Sequence, residues 1–106
     1  MPTYCGERWI DASLRSLSTE AAVGVEVLIV DSSPTPATLD IARSYADRLD
    51  LRIFERRHLP MWPAKTNVGI EIASADHICW LHQDDLWLPG RAAAVRTWIE
   101  SAPGAV

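Results

Sequence analysis

Val25-Glu26-Val27-Leu28-Ile29-Val30 runs directly into Asp31-Ser32-Ser33-Pro34-Thr35-Pro36. The first six residues follow a glycine and are rich in β-branched side chains, the composition of a strand buried on both faces. The next six are turn and capping residues. A buried strand that ends this way delivers an acid, Asp31, to a loop. A similar transition occurs where the apolar run Ile78-Cys79-Trp80-Leu81 ends in His82-Gln83-Asp84-Asp85, and it predicts a further strand with carboxylates at its exit. Carboxylates at the C-terminal edge of a sheet can hold a hard cation, which in turn holds phosphate oxygens. On residue type alone, Asp84-Asp85 serves equally well as a turn former or helix cap.

Outward from these strands, helical and extended patterns alternate. Trp9, Ile10, Leu14, Leu17 and Ala21 recur at helical spacing, predicting an amphipathic helix over about 7–19. Leu39, Ala42, Ala46 and Leu49 share one face of a second helix over about 36–48, and residues 51–55 alternate as a shorter strand. Residues 58–63 contain two prolines and are read as irregular. Ala64, Val68 and Ile72 define a third helix ending near 73–74. Pro89-Gly90 opens a fourth helix, which carries Val95, Trp98 and Ile99. Strands alternating with helices imply parallel pairing through right-handed crossovers, hence a layered α/β/α domain with a mostly parallel sheet. In such sheets the ligand crevice lies beyond the carboxyl ends of the strands, so Asp31 and Asp84-Asp85 are expected on the same side.

The chain has 106 residues, enough for one small domain, and 48% of them are apolar. A net charge of −4 without a basic block argues against nucleic acid as a partner. Arg56-Arg57-His58, the densest positive cluster, reads as a solvated loop. Cys5 and Cys79 form no metal-type pair and cannot staple a domain of this size, so a reducing cytoplasm is the default expectation. No apolar run has the length of a membrane span, and no signal-peptide pattern is present.

Four stretches, taken in order, resemble the family 2 glycosyltransferases of the GT-A fold: Pro2-Thr3-Tyr4-Cys5-Gly6-Glu7-Arg8, Val27-Leu28-Ile29-Val30-Asp31-Ser32-Ser33, Ala64-Lys65-Thr66-Asn67-Val68-Gly69-Ile70, and Trp80-Leu81-His82-Gln83-Asp84-Asp85-Leu86-Trp87-Leu88-Pro89. The resemblance covers nearly the whole chain. It implies that residues 1–106 are a partial domain, the half that binds a nucleotide-diphosphate sugar. By resemblance, Thr3, Tyr4 and Glu7 line the nucleoside pocket and Asp31 contacts base or ribose. The plainer alternatives are helix capping for Asp31 and packing under the first helix for Tyr4. The family's Asp-x-Asp motif coordinates Mn²⁺ or Mg²⁺ bridging the diphosphate. Here His82 stands where the first acid often is, Gln83 at the variable position and Asp84 at the last acid. Asp84 is the expected metal ligand, with Asp85 assisting or capping the loop. His82 ligates directly or from the outer shell; imidazole suits Mn²⁺ better than Mg²⁺. Lys65, the sole lysine, could neutralise phosphate or base oxygens, against the commoner case of a solvated lysine on a helix surface. Asn67 and Gly69 are expected to help the third helix pack, and Trp62, Trp80, Trp87 and Trp98 to form core and rim, with sugar stacking by Trp62 or Trp87 a further option.

Two departures from the resemblance matter. The family's apolar first strand, central between the strands at 25–30 and 77–81, is expected to be missing ahead of Pro2-Thr3-Tyr4. Either the chain is a piece of a longer protein, the favoured reading, or the two strands close up directly. By resemblance, the acceptor half, which supplies the general base of an inverting transferase, is expected beyond residue 106. The expected reaction of the intact protein is transfer of the sugar to a hydroxyl of a saccharide or lipid-linked acceptor, with this chain supplying donor binding. A non-catalytic binding or interaction module of the same fold is the alternative. A sugar-phosphate nucleotidyltransferase ranks last, because Cys5-Gly6-Glu7-Arg8 supplies no Gly-rich basic loop.

Overall fold

Residues 26–31 form the central strand of a three-stranded parallel sheet. The computed structural model describes residues 1–20, 24–102 and 104. Its elements in chain order are β1 (Pro2–Thr3), α1 (Ile10–Ser18), β2 (Glu26–Asp31), α2 (Ala37–Arg43), β3 (Asp50–Glu55), α3 (Trp62–Ile72) and α4 (Arg91–Ser101). The sheet order is β1-β2-β3, with Pro2 opposite Val30, Thr3 opposite Asp31, and β3 paired with β2 along its whole length. Of the first strand expected from the resemblance, two residues are present as β1.

Alternation along β2 sorts its side chains between two layers. Val27 and Ile29 join Ile10, Leu14 and Leu17 of α1 and Leu39 and Ala42 of α2 in the main core. Glu26, Leu28 and Val30 take the other face, where α3 packs and Glu26 accepts hydrogen bonds from the Ser74 N–H and hydroxyl. The architecture is therefore the expected α/β/α sandwich. Among the described residues no helix is long and apolar enough to cross a membrane, and both cysteines are free thiols.

Helices α1 and α2 are shorter than their periodicity suggests. Helix α1 starts at Ile10 because Gly6 turns the chain first, its carbonyl accepting from the N–H groups of both Trp9 and Ile10. Ala21, assigned to its apolar face, lies outside the described residues. Helix α2 stops at Arg43 because the chain tightens: Ser44, Tyr45 and Ala46 donate to carbonyls three residues back, and the Ser44 hydroxyl also bonds the Ile41 carbonyl. The tightening buries Tyr45, whose hydroxyl donates to Asp11 Oδ1 at 2.6 Å. Helix α3 begins earlier than expected. Pro63 sits in its first turn, where a missing N–H costs nothing, so Trp62 and Pro63 are helical rather than irregular. Asn67 is exposed and Gly69 has no atom within 4 Å of a would-be Cβ, so neither tightens the packing of α3. Of the tryptophans assigned to core and rim, Trp87 alone is buried; Trp62, Trp80 and Trp98 are each about half exposed.

The clearest correction concerns 78–81. These residues are apolar enough for a strand, yet form no regular structure, and Ile78 and Trp80 are exposed. A parallel strand needs a neighbour to take its N–H and C=O groups. Here β1 reaches only Val30 and Asp31, and residues 77–81 do not close onto β2. Between them lies a cleft of about 500 Å³, lined by Glu26, Leu28, Ile70, Ile78, Trp80 and Ile99 among others.

Residues 87–92 are tied down by Glu20, just past the end of α1. Its carboxylate accepts from the N–H groups of Gly90 and Ala92, at the N-terminus of α4, and from the Trp87 indole. A negative group there also complements the helix dipole. The backbone bonds from Ala92 and Gly90 hold the Glu20 carboxyl below the ordinary glutamate range. A depressed carboxylate pKa contributes stability above its unfolded value, and that contribution is lost as pH falls through the folded value. Acidification through that window should therefore speed amide exchange at Gly90 and Ala92 relative to the intrinsic rate, which itself falls with pH. Glu20→Gln should show the fast exchange already at pH 7; exchange rates equal to the parent's would refute the anchor.

Candidate functional site

The acid at the end of β2 is buried, and local bonds fix it. Asp31 Oδ1 accepts from the hydroxyls of Thr3 and Ser33, both at 2.7 Å, and Oδ2 accepts from the Ser33 N–H at 3.0 Å. The last bond, two residues along the chain, is an Asx turn. Asp31 is not a helix cap, since α2 begins only at Ala37. Its carboxylate joins the end of β1 to the loop after β2.

Lys65 completes that junction from α3. Its side chain is buried rather than solvated, and its ammonium donates to the Thr3 carbonyl and the Ser32 hydroxyl, both at 2.7 Å. Burial pulls its pKa down, while the nearby Asp31 charge pushes it back up. The Tyr4 ring lies 5.6 Å from the ammonium and is half exposed, so Tyr4 stands at the rim instead of packing under α1.

Past Tyr4 the chain turns sharply, with Cys5 at φ 45°, in the left-handed region. The turn is braced from the α2 side: the Cys5 N–H donates to Ser33 Oγ, the Gly6 N–H donates to Thr38 Oγ1, and the Thr38 hydroxyl donates to Glu7 Oε2 at 2.8 Å. The bond from its own backbone N–H, then that from Thr38, lower the Glu7 pKa.

Loop 82–85 docks on the same rim. The Tyr4 N–H donates to Gln83 Oε1 at 2.9 Å, and Gln83 Nε2 donates to the Tyr4 carbonyl at 3.0 Å. Thr3 faces Asp31 across the sheet and Tyr4 holds Gln83, so the loops bearing Asp31 and Asp84 share the C-terminal end of the sheet. The spatial expectation for the two acids is met at the level of loops. Neither acid lines the 500 Å³ cleft, which runs along the open edge of β2.

Asp84 and Asp85 are exposed, and among the described residues their carboxylates have no hydrogen-bond or ion-pair partner. The His82 ring stands edge-on to Trp62, centroids 5.3 Å apart. Among the described residues no three His, Cys, Asp or Glu side chains converge into a metal cage. Exposed, unpaired carboxylate oxygens do fit a hard cation that takes most of its ligands from water and phosphate, as Mg²⁺ commonly does. They do not fit a cation held by protein alone.

The braces from Ser32, Ser33 and Thr38 and the latch from Gln83 were not assigned in the sequence. The serines were visible as turn formers. Gln83 gave no signal, because its partner is backbone 79 residues away.

A parallel sheet between helix layers, with acids on the loops at one end, defines a layered α/β protein of the kind that binds ligands at its carboxyl rim. The whole chain, residues 1–106, matches the sequence profile described as "Glycosyl transferase family 2", and it belongs to that family. It is 30% identical over 88 residues to the poly(ribitol-phosphate) beta-N-acetylglucosaminyltransferase TarS of Staphylococcus aureus, a match covering 80% of this chain and 15% of TarS. It is 33% identical over 84 residues to a validoxylamine A glucosyltransferase of Streptomyces hygroscopicus subsp. limoneus, covering 76% of this chain and 18% of that protein. The crystal structure of S. aureus TarS 1–349 superposes with a TM-score of 0.82 at 24% identity, covering 94% of this chain and 31% of that one. The same TarS segment in complex with UDP superposes with a TM-score of 0.80, also at 24% identity, covering 94% of this chain and 30% of that one. The solved structures establish the fold. The chain spans less than a third of the length of each of these relatives.

Replacing Lys65 by Met keeps the stem and removes the ammonium, leaving the Thr3 carbonyl and Asp31 uncompensated. Urea denaturation should show a loss of about 2 kcal/mol, the scale of hydrogen bonds to a charged group. Stability within error of the parent would mean that the junction does not depend on the ammonium.

Proposed function

We propose that this chain is the donor-binding half of a family 2 glycosyl transferase. A nucleotide-diphosphate sugar lies along the rim made by Thr3, Tyr4, Glu7, Asp31 and loop 82–85, with Mn²⁺ or Mg²⁺ on Asp84, assisted by Asp85. The observation that supports the reading is the docking of loop 82–85, which carries Asp84 and Asp85, onto Tyr4, the residue after the Thr3 that bonds Asp31. A bound cation would act as a Lewis acid, stabilising the charge that the nucleoside diphosphate gains as the glycosidic bond breaks.

The chain's own residues bind and orient. Asp31, with Thr3 and Ser33 fixing both oxygens, can offer a remaining lone pair to a ribose hydroxyl or base edge. Tyr4, half exposed at the rim, offers a ring face to a base. Lys65 works from beneath, neutralising Asp31 and fixing the turn, rather than reaching for phosphate directly. His82, with its ring against Trp62, fits an outer-shell place better than direct ligation. The acceptor, a saccharide or lipid-linked hydroxyl, and the general base of inverting transfer belong to the remainder of a longer protein. The lengths of the relatives support that division.

The alternative, a non-catalytic interaction module of the same fold, is favoured by His82 standing where the family's motif often has its first acid. Calorimetric titration with UDP separates the two. The transferase reading expects binding that tightens about tenfold with Mn²⁺, the scale of one good charge interaction, and Asp84→Asn should abolish the tightening. Silence with and without Mn²⁺ would favour the interaction module. Sustained sugar transfer by these 106 residues alone would contradict the assignment of a donor half.

A further inference from the structure

Gln83 is the one side chain of loop 82–85 that grips backbone on another element. Its amide both donates to and accepts from a single residue, Tyr4, with both bonds near 3 Å. Tyr4 is the bend residue just past β1, and the amide takes up both of its main-chain polar groups, which no strand pairs. This requires a side chain with a donor and an acceptor on one carbon, at glutamine's reach. Glutamate has the reach without the donor, and asparagine has the pair without the reach.

The opposite wall of the amide is Gly6. A Cβ there would overlap Gln83 Oε1 and stand 2.7 Å from its Cδ. Gly6 cannot retreat, because its N–H is held by Thr38 and its carbonyl accepts from Trp9 and Ile10. The amide thus sits in a slot formed by the Tyr4 backbone and a bare glycine Cα. The next residue in the chain is Asp84.

Resting on the donor-half reading above, we propose that Gln83 is a positioning residue: its bond pair with Tyr4, seated on Gly6, sets where the Asp84 carboxylate stands relative to the nucleoside pocket and so couples cation binding to nucleoside diphosphate binding. Were position 83 simply a variable loop position, Gln83→Glu would add a third acid to the run and tighten the hold on a cation. The latch requires the reverse, because a carboxylate would face the Tyr4 carbonyl with no proton to share.

The test combines Gln83→Ala, Gln83→Glu, Gly6→Ala and the double variant G6A/Q83A. Titration with UDP should show the roughly tenfold Mn²⁺-dependent tightening lost in Q83A and Q83E, a larger change than any in the metal-free affinity. Loss of a merely structural contact would lower both affinities together and would overturn the positioning role. Amide exchange at Tyr4, read without ligand, should quicken about tenfold in both Gln83 variants. Gly6→Ala should lower the thermal midpoint in the parent but have little effect in the Q83A background, the signature of two sites in direct contact. Q83E that holds Mn²⁺ and UDP as tightly as the parent, or Tyr4 exchange unchanged in Q83A, would overturn the proposal. Should the parent itself fail to bind UDP, the donor-half reading fails and the coupling proposal with it; the Tyr4 exchange and the Gly6–Gln83 cycle then report on the latch contact by itself.

Discussion

A buried ammonium holds the C-terminal end of the sheet together. Lys65 reaches from α3 to the Thr3 carbonyl and the Ser32 hydroxyl, and so fastens the ends of β1 and β2 from one layer of the sandwich. Asp31 performs the complementary task through Thr3 and Ser33. Opposite charges with most of their bonding capacity filled by local groups can lie under the rim without the large penalty of an isolated buried ion. Everything outward of that junction, from the left-handed turn at Cys5 to the bracing by Thr38, inherits its placement.

The rim is assembled from segments that are individually weak. β1 has two residues, loop 82–85 has no regular structure, and the turn at 4–6 contains a residue with positive φ. What makes them one surface is a set of side-chain to backbone bonds of long sequence separation. This division of labour is common where function sits on loops carried by a stiffer scaffold. It also fits the comparisons: fold and family are shared with proteins several times longer.

Sequence reasoning succeeded where a segment's structure follows from its own composition. The β-branched run of β2 and the helical spacing of Ile10, Leu14 and Leu17 decided the layered fold, because burial of those faces is what the fold is for. It failed at 78–81, where composition favours a strand but strand formation is a property of pairs. It misjudged the surroundings of Lys65, because nothing in a helical pattern tells a solvated lysine from one whose head finds two acceptors inside. Gln83 was invisible for a related reason. A glutamine is unremarkable until the backbone it grips is known, and that backbone lies at the other end of the chain.

The cleft along β2 has a consequence for how the molecule behaves in company. Beyond the short reach of β1, the flank of β2 offers main-chain groups to whatever approaches, between walls that include Ile70, Ile78 and Trp80. Sheet flanks of this kind are templates for intermolecular pairing unless charge, proline or a covering element blunts them. Here Glu26, held by Arg52 and Ser74, is the charged residue stationed on that stretch. The Met1 ammonium covers the Leu28 carbonyl, which leaves the stretch around Glu26 as the part of the flank where that charge guards against edge-to-edge association.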